Sequence, residues 1–69
     1  MLNELIRKGN KTVHRYMMGY GYQLYGCEET ETGYRAEYYK THAGVTIATV
    51  FIEFNKKWRC TRVSNSKGV

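Results

Sequence analysis

Two cysteines and two histidines are the side chains of this sequence that could ligate a metal or serve as a nucleophile and its base. They are His14, Cys27, His42 and Cys60, and the steps between them are 13, 15 and 18 residues. Structural zinc sites place their paired ligands at much shorter steps. No serine, cysteine or carboxylate stands where it would complete a catalytic triad with either histidine. The spacing therefore predicts neither a metal site nor a nucleophilic centre.

The acidic residues suggest no acid–base pair either. Glu28, Glu29 and Glu31 are the densest group of carboxylates, and the chain contains no aspartate. Grouped carboxylates can bind a cation or transfer protons, but these three fall at the predicted tip of a hairpin, where carboxylates are usually solvated. Gly19 and Gly21 follow a helical segment, whereas a phosphate-cradling loop precedes one. We therefore predict a protein that is not an enzyme, with no catalytic residue and no cofactor.

The strongest chemical signal is a surplus of basic side chains. The 69 residues include 11 lysines and arginines against 6 acids, a net charge of +5. The surplus is uneven, because residues 1–27 carry +3, residues 28–53 carry −3 and residues 54–69 carry +5. A field of this sign favours encounters with anionic partners.

Length and composition predict a single small domain over residues 1–69. A chain of this size buries only about 60% of its unfolded surface, which leaves little room for a deep cleft. Its 42% apolar content is typical of a folded globule. The N-terminus lacks the apolar run of a signal peptide, and no stretch approaches the ~20 apolar residues of a membrane span. We expect reduced thiols, a cytoplasmic location and no membrane contact.

The spacing of apolar residues predicts one helix over residues 2–18. At 100° per residue, seven positions fall within about 60° of one line. They are Leu2, Leu5, Ile6, Gly9, Val13, Tyr16 and Met17. A break at Gly9-Asn10 would give two short helices instead, but the continuous phase favours one helix with Gly9 against a sheet. Gly19 is a suitable stop.

The remainder is predicted to form an antiparallel meander, with a frayed tail over residues 65–69. The four strands are predicted at about residues 20–29, 34–41, 45–54 and 58–64. Three-residue loops at 31–33, 42–44 and 55–57 would connect them. These loops bring an apolar set to one face: Tyr22, Leu24, Tyr34, Ala36, Tyr38, Ala48, Val50, Ile52, Phe54, Trp58 and Cys60. The predicted fold is α+β, with one N-terminal helix packed on one face of a four-stranded antiparallel meander. A small closed β-barrel with an N-terminal helix is the alternative.

The solvent face of the predicted helix carries the main candidate binding site. Arg7, Lys11 and Arg15 follow one another at i+4 spacing, with Lys8 alongside, and only Glu4 relieves them. Like charges at this spacing repel by a few tenths of a kcal/mol, which is easier to understand if an anion binds there. The phosphate backbone of nucleic acid is the commonest such anion. A basic face that is merely solvated is the alternative.

Residues 54–63 add a basic loop tip to this site. The predicted register turns Trp58 into the core and places Arg59 opposite Glu53, so neither is expected to contact nucleic acid directly. The predicted nucleic-acid-binding residues are Arg7, Lys8, Lys11, Arg15, Lys56, Lys57 and Arg62. No base-reading pattern is visible, so DNA, RNA and an acidic protein all remain candidate partners.

The outer face of the predicted sheet has a different character. Its charges nearly cancel, and apolar side chains lie between them: Tyr25, Tyr39, Ile47, Phe51 and Val63. A single helix cannot cover both faces, and an uncovered aromatic patch is typical of an interface, although scattered exposed apolar residues are also ordinary. The rival prediction is therefore a protein-binding module, either an inhibitor or adaptor or a homodimer. The small size, the tyrosines and the lack of motifs resemble an accessory protein of a phage or other mobile element.

Overall fold

The computed structural model describes residues 2–66 and confirms the predicted fold class. Within this range a 3-10 helix and an α-helix precede a four-stranded antiparallel sheet in the order β1-β2-β3-β4. The elements are the 3-10 helix Leu2–Leu5, α1 Asn10–Gly19, β1 Gln23–Glu29, β2 Gly33–His42, β3 Val45–Asn55 and β4 Cys60–Ser66. Because β1 and β4 stand at opposite ends of the order, the sheet is an open meander and not the closed barrel of the alternative prediction. None of the described helices has the length and apolar character needed to cross a membrane.

The prediction of one continuous helix over residues 2–18 is wrong. The 3-10 helix ends at Leu5, and α1 begins only at Asn10. Between them Arg7 has a φ of 75°, and Gly9 is extended with φ −74° and ψ 163°. Neither conformation continues a right-handed helix. The break at Gly9-Asn10, which the sequence offered as the alternative, is the observed one.

Backbone pairing with a distant segment explains the break. Residues 7–10 run antiparallel to residues 58–60, with a bridge between Gly9 and Arg59. Three hydrogen bonds of 2.7, 2.8 and 3.0 Å join the segments: Arg7 N–H to Cys60 O, Cys60 N–H to Lys8 O, and Asn10 N–H to Trp58 O. In a continuous helix the groups of residues 7–10 would bond within the helix instead. The sheet therefore gains a short extra pairing at its β4 edge at the expense of one helical turn.

The apolar stripe predicted for the helix is nevertheless in the core. Leu5, Val13 and Met17 are buried, and Ile6 and Tyr16 pack against them. The sheet contributes buried residues that all belong to the predicted inner face: Ala36, Tyr38, Val50, Ile52, Phe54 and Cys60. The two helical pieces pack on the same side of the sheet, which is why the periodicity located the core in spite of the break.

The β2–β3 hairpin turns through two residues and not through the predicted three. Ala43 and Gly44 have φ values of 52° and 82°, and a type I′ turn requires positive φ at both central positions. A bulge follows, after which Tyr38 lies opposite Val50. This pairing differs from the predicted one by two residues. Because side chains alternate with a period of two, an even shift keeps them on their predicted faces.

Odd shifts in β1 and β4 move two side chains onto the inner face. Cys27 lies opposite Ala36, and Val63 lies opposite Ile52. In β4 the shift comes from a bulge at Thr61, between the pairs on either side of it. Val63 packs against the core, so its prediction as an outer-face interface residue is wrong. A one-residue slip reverses the face of every side chain beyond it.

The bounds of the outer strands also differ from the prediction. β1 begins at Gln23 and β4 at Cys60, later than the predicted positions 20 and 58. β4 continues to Ser66, because Asn65 and Ser66 still pair with β3. The predicted frayed tail is therefore wrong for residues 65 and 66, and residues 67–69 lie outside the described residues.

Candidate functional site

The pairing of residues 7–10 with residues 58–60 joins two segments that carry basic side chains, within the paired residues and directly beside them. We call these side chains the basic junction: Arg7, Lys8, Lys11, Lys56, Lys57 and Arg59. All six residues are exposed, and neither contributing segment contains an acid. The ion pair found among residues 2–66 is Arg35–Glu28, so no acidic partner within the described range neutralises the junction.

Hydrogen bonds of Asn55 fix the loop that carries two of the junction lysines, Lys56 and Lys57. Its side-chain Oδ1 accepts hydrogen bonds from the backbone N–H groups of Lys57 at 2.9 Å and Arg59 at 3.0 Å. Its own N–H donates to Arg59 O, and its carbonyl accepts from Trp58 N–H, both at 2.9 Å. This use of an asparagine side chain replaces the glycine that the sequence lacks here. The loop backbone that carries Lys56 and Lys57 is therefore fixed.

Trp58 occupies a position of this loop that ordinarily takes glycine. Its φ is 62°, a left-handed conformation that costs a non-glycine residue roughly 1–2 kcal/mol. Its indole stacks on Tyr34 with ring centroids 3.8 Å apart and planes inclined by 6°, and it lies 5.6 Å from Phe54. These contacts offset the strain and fix the ring. Trp58 packs against the core as predicted but is only partly buried.

An open groove of about 640 Å³ lies beside the junction, between α1 and the strands β1 and β2. The helix contributes a polar, basic rim that includes Lys11, His14 and Arg15. The apolar floor and far wall consist of Leu24, Ala36, Tyr38, Phe54 and Trp58. None of the described residues that line the groove is acidic. A cationic rim above an aromatic floor suits a ligand that is both flat and anionic.

A hydrogen-bonded pair joins the rim of the groove to its floor. The Tyr38 hydroxyl lies 2.9 Å from His14 Nδ1. Burial, and to a smaller extent the nearby Cys27, raises the pKa of Tyr38 to about 12. The hydroxyl is therefore protonated at neutral pH and can donate to Nδ1 of a neutral imidazole. Partial desolvation raises the pKa of the Cys27 thiol, and Glu28 makes a smaller contribution in the same direction. The raised pKa disfavours a reactive thiolate at Cys27.

The opposite face of the sheet carries a row of alternating charges. One residue from each strand, in order from β1 to β4, forms it: Glu28, Arg35, Glu53 and Arg62. The predicted Glu53–Arg59 pairing is wrong, because the Thr61 bulge brings Arg62 opposite Glu53. Arg62 therefore lies on the face away from α1 and is separated from the other predicted nucleic-acid contacts. Alternation of sign across the strands stabilises the row internally.

Aromatic side chains accompany this charge row. Tyr25 is 74% exposed and Ile47 is 53% exposed. Tyr39 donates from its hydroxyl to Gln23 Oε1 at 3.1 Å and meets Tyr25 edge-on at 6.2 Å. The Arg35 guanidinium lies 5.6 Å from the ring centroid of Phe51. Tyr25, Tyr39 and Phe51 thus share the outer face, which no element of residues 2–66 covers. The exposed Ile47 stands unpaired at the β3 bulge between Thr46 and Ala48.

The structure regroups the residues predicted to contact nucleic acid. Lys11 and Arg15 are one turn apart on α1, as expected, but Arg7 and Lys8 belong to the extended segment before it. The predicted ridge of three basic residues at i+4 spacing therefore does not form. Arg59 was not among the predicted contacts and joins the junction through the Gly9 bridge. The contacts that regroup them are backbone hydrogen bonds between distant segments, which side-chain periodicity does not report.

Comparison of the chain with protein-family models, curated proteins and solved structures finds no match.

Proposed function

We propose that this protein is a non-enzymatic nucleic-acid-binding protein that contacts phosphates through the basic junction and through Arg15 on the adjoining groove rim. One observation carries the proposal. Backbone pairing joins the two segments that carry these six exposed cations, and no acidic side chain of the described residues forms an ion pair with them. Concentrating like charges costs free energy that a polyanion with regularly spaced phosphates would recover.

Two further features support phosphate as the anion. The loop that bears Lys56 and Lys57 is held by hydrogen bonds of Asn55, so less backbone freedom is lost on binding. In addition, α1 begins at Asn10 within the junction, and the positive end of a helix dipole favours negative charge nearby. The dipole adds to the side-chain charges and does not define a site by itself.

The test is the salt dependence of binding to a fluorescent oligonucleotide. Five phosphate contacts with a single strand predict a log–log slope of about −3.5, which is roughly a hundredfold loss of affinity between 50 and 200 mM salt. Replacing two contacts in the variant Lys56→Gln/Lys57→Gln should reduce the slope by about 1.4. Fluorescence anisotropy at several salt concentrations measures both values. Affinity that does not change with salt would rule out the proposal.

A charge-matched control separates local contacts from net charge. The variant Thr41→Glu/Val45→Glu also lowers the net charge from +5 to +3. It places the change at the β2–β3 turn, at the end of the hairpin away from Asn55. This control should keep the wild-type slope. If both variants lose the same affinity, the protein responds to anions only through its overall charge.

A second candidate function is favoured by the exposure of the outer face. Tyr25 and Ile47 leave most of their surface open to solvent, and large exposed aromatics are enriched in protein interfaces. This face would bind a protein partner or a second copy of the chain through Tyr25, Tyr39, Ile47 and Phe51. It is compatible with nucleic-acid binding, because the groove and the outer face lie on opposite sides of the sheet.

A further inference from the structure

We propose that the groove between α1 and strands β1 and β2 binds unpaired nucleobases, so that the protein prefers single-stranded over double-stranded nucleic acid. This inference rests on the proposed function, since the basic junction would supply the phosphate contacts that hold the strand.

The aromatic wall of the groove is the first argument. Trp58 is stacked on Tyr34, which does not line the groove, whereas Trp58 itself does. Tyr34 therefore covers one face of the indole, and a flat ligand could extend the stack from the groove side. Phe54 and Tyr38 also line the groove but are each only 3% exposed, so the half-buried Trp58 is the ring available for stacking. Aromatic side chains that stack on bases are the usual device by which proteins bind single strands without reading their sequence.

The geometry of the rim is the second argument. Lys11 and Arg15 are exposed residues four apart on α1, and both line the groove. Side chains at this spacing are neighbours on one helix face. A strand whose bases point into the groove would present consecutive phosphates to these two cations. The charge of the rim is thus complementary to the backbone, and the apolar floor is complementary to the bases.

Base pairing decides which form of nucleic acid can use the groove. In a duplex the flat faces of the bases are stacked on one another, and only their edges are accessible in the grooves of the helix. Trp58 could therefore stack on the ring of a base only when the base is unpaired. The exposed His14, hydrogen-bonded to Tyr38 through Nδ1, also gives the rim a polar group for a base edge.

The test compares three fluorescently labelled ligands of equal length: oligothymidylate, an abasic strand and a duplex. The abasic strand has the same phosphates but no bases, so it reports the junction alone. We expect oligothymidylate to bind about tenfold more tightly than the abasic strand, from the stacking of one base. It should also change the emission of Trp58, which is the one tryptophan of the chain, whereas the abasic strand should not.

The outcomes separate this inference from the proposed function. If the abasic strand or the duplex binds as tightly as oligothymidylate and Trp58 emission stays constant, the groove takes no base while the junction still binds phosphates. If none of the three ligands binds, both proposals fail. If a peptide of glutamate and leucine displaces oligothymidylate and binds more tightly, the groove is a protein site and the inference is overturned.

A pair of matched variants locates the effect in the groove. Leu24 lines the groove and is 44% exposed, and Gln23 precedes it on the outer face of β1. Leu24→Glu should lower affinity for oligothymidylate at least tenfold, because it places an anion against the strand. Gln23→Glu adds the same charge on the other face and should change affinity less than twofold. Equal effects of the two variants would contradict the proposal.

A footprint on the unmodified protein provides a test that does not depend on the folding of a variant. Cys27 is exposed and lines the groove, whereas Cys60 is buried. Oligothymidylate should slow the alkylation of Cys27 severalfold at a concentration that saturates binding, and the abasic strand should slow it less. Alkylation that proceeds at the same rate with and without oligothymidylate would show that the groove stays empty.

Discussion

The outer face of the sheet and the basic region near α1 differ in how their charges are balanced. On the outer face Glu28, Arg35, Glu53 and Arg62 alternate across the four strands, and Arg35 forms an ion pair with Glu28. At the β4 edge and along α1, the basic junction and the rim of the groove gather cations without acidic partners in the described part of the chain. The outer row is therefore balanced in charge, whereas the junction and the groove rim carry an excess of positive charge.

This difference teaches that net charge alone does not locate a binding surface. The +5 of the chain would predict attraction of anions anywhere on the molecule. Cross-strand pairing offsets the cations of the outer face, whereas the hydrogen bonds between residues 7–10 and 58–60 concentrate those of the junction. The faces also differ in burial, since the inner face holds the core and the outer face has no cover from residues 2–66.

The largest expected effect is on the free energy of unfolding. It compares the same substitution at a buried isoleucine and at an exposed one. Ile52 is fully buried, and Ile47 is 53% exposed. Ile52→Ala should lower the free energy of unfolding by about 2–5 kcal/mol, because it removes buried methyl groups and leaves a cavity. Ile47→Ala should lower it by less than about 1 kcal/mol. Urea denaturation of both variants measures these values, and similar losses would mean that the burial of the two side chains has been assigned incorrectly.

A smaller effect is expected on stability in alkaline solution, where Tyr38 on the inner face is compared with Tyr39 on the outer face. The raised pKa of Tyr38, about 12, shows that the folded protein disfavours its ionised form. The stabilisation is complete below the ordinary pKa of about 10 and is lost as the pH rises to about 12, a total of roughly 2–3 kcal/mol. Tyr38→Phe should remove this part of the pH dependence, and Tyr39→Phe on the outer face should retain it. Unfolding curves from pH 9 to 12 test the contrast, which fails if both variants behave alike.

The smallest expected effect on stability belongs to the outer face. Replacing Tyr25 and Ile47 by serine should change the free energy of unfolding by no more than about 0.5 kcal/mol per site, since both side chains are exposed. If the outer face joins two copies of the chain, the same double variant should convert a dimer into a monomer. Light scattering gives the mass in solution. A mass that the substitutions leave unchanged would remove the homodimer from the second candidate function.

The positions of the core residues could be predicted from the sequence because periodicity depends on local geometry. The apolar stripe of residues 5–17 identified Leu5, Val13 and Met17 although the helix is broken. The inner face of β2 and β3 was also predicted correctly, because the error in the β2–β3 register was an even number of residues. Val63 was misplaced because a bulge adds one residue to a strand without any change in composition.

Less of the candidate site was predictable. The basic side chains themselves were visible in the sequence, but the contact between residues 7–10 and 58–60 depends on backbone groups that every residue carries. The break uses an extended conformation at Gly9 that any residue can adopt, and Asn55 permitted a tight loop without glycine although asparagine has other common uses. The groove depends on how far α1 covers the sheet, which is a property of packing and not of any one segment. The structure was therefore needed to place Trp58 beside Lys11.

The most direct test of the account compares two variants of identical net charge, one in the basic junction and one in the outer charge row. Lys11→Gln/Lys57→Gln removes cations from the junction, and Arg35→Gln/Arg62→Gln removes them from the outer row, so each has a net charge of +3 instead of +5. Their affinities for oligothymidylate are measured at 100 mM salt. The account predicts a loss of about tenfold or more for the first pair, from two lost phosphate contacts, and less than about twofold for the second. Equal losses, or a larger loss from the outer row, would contradict it.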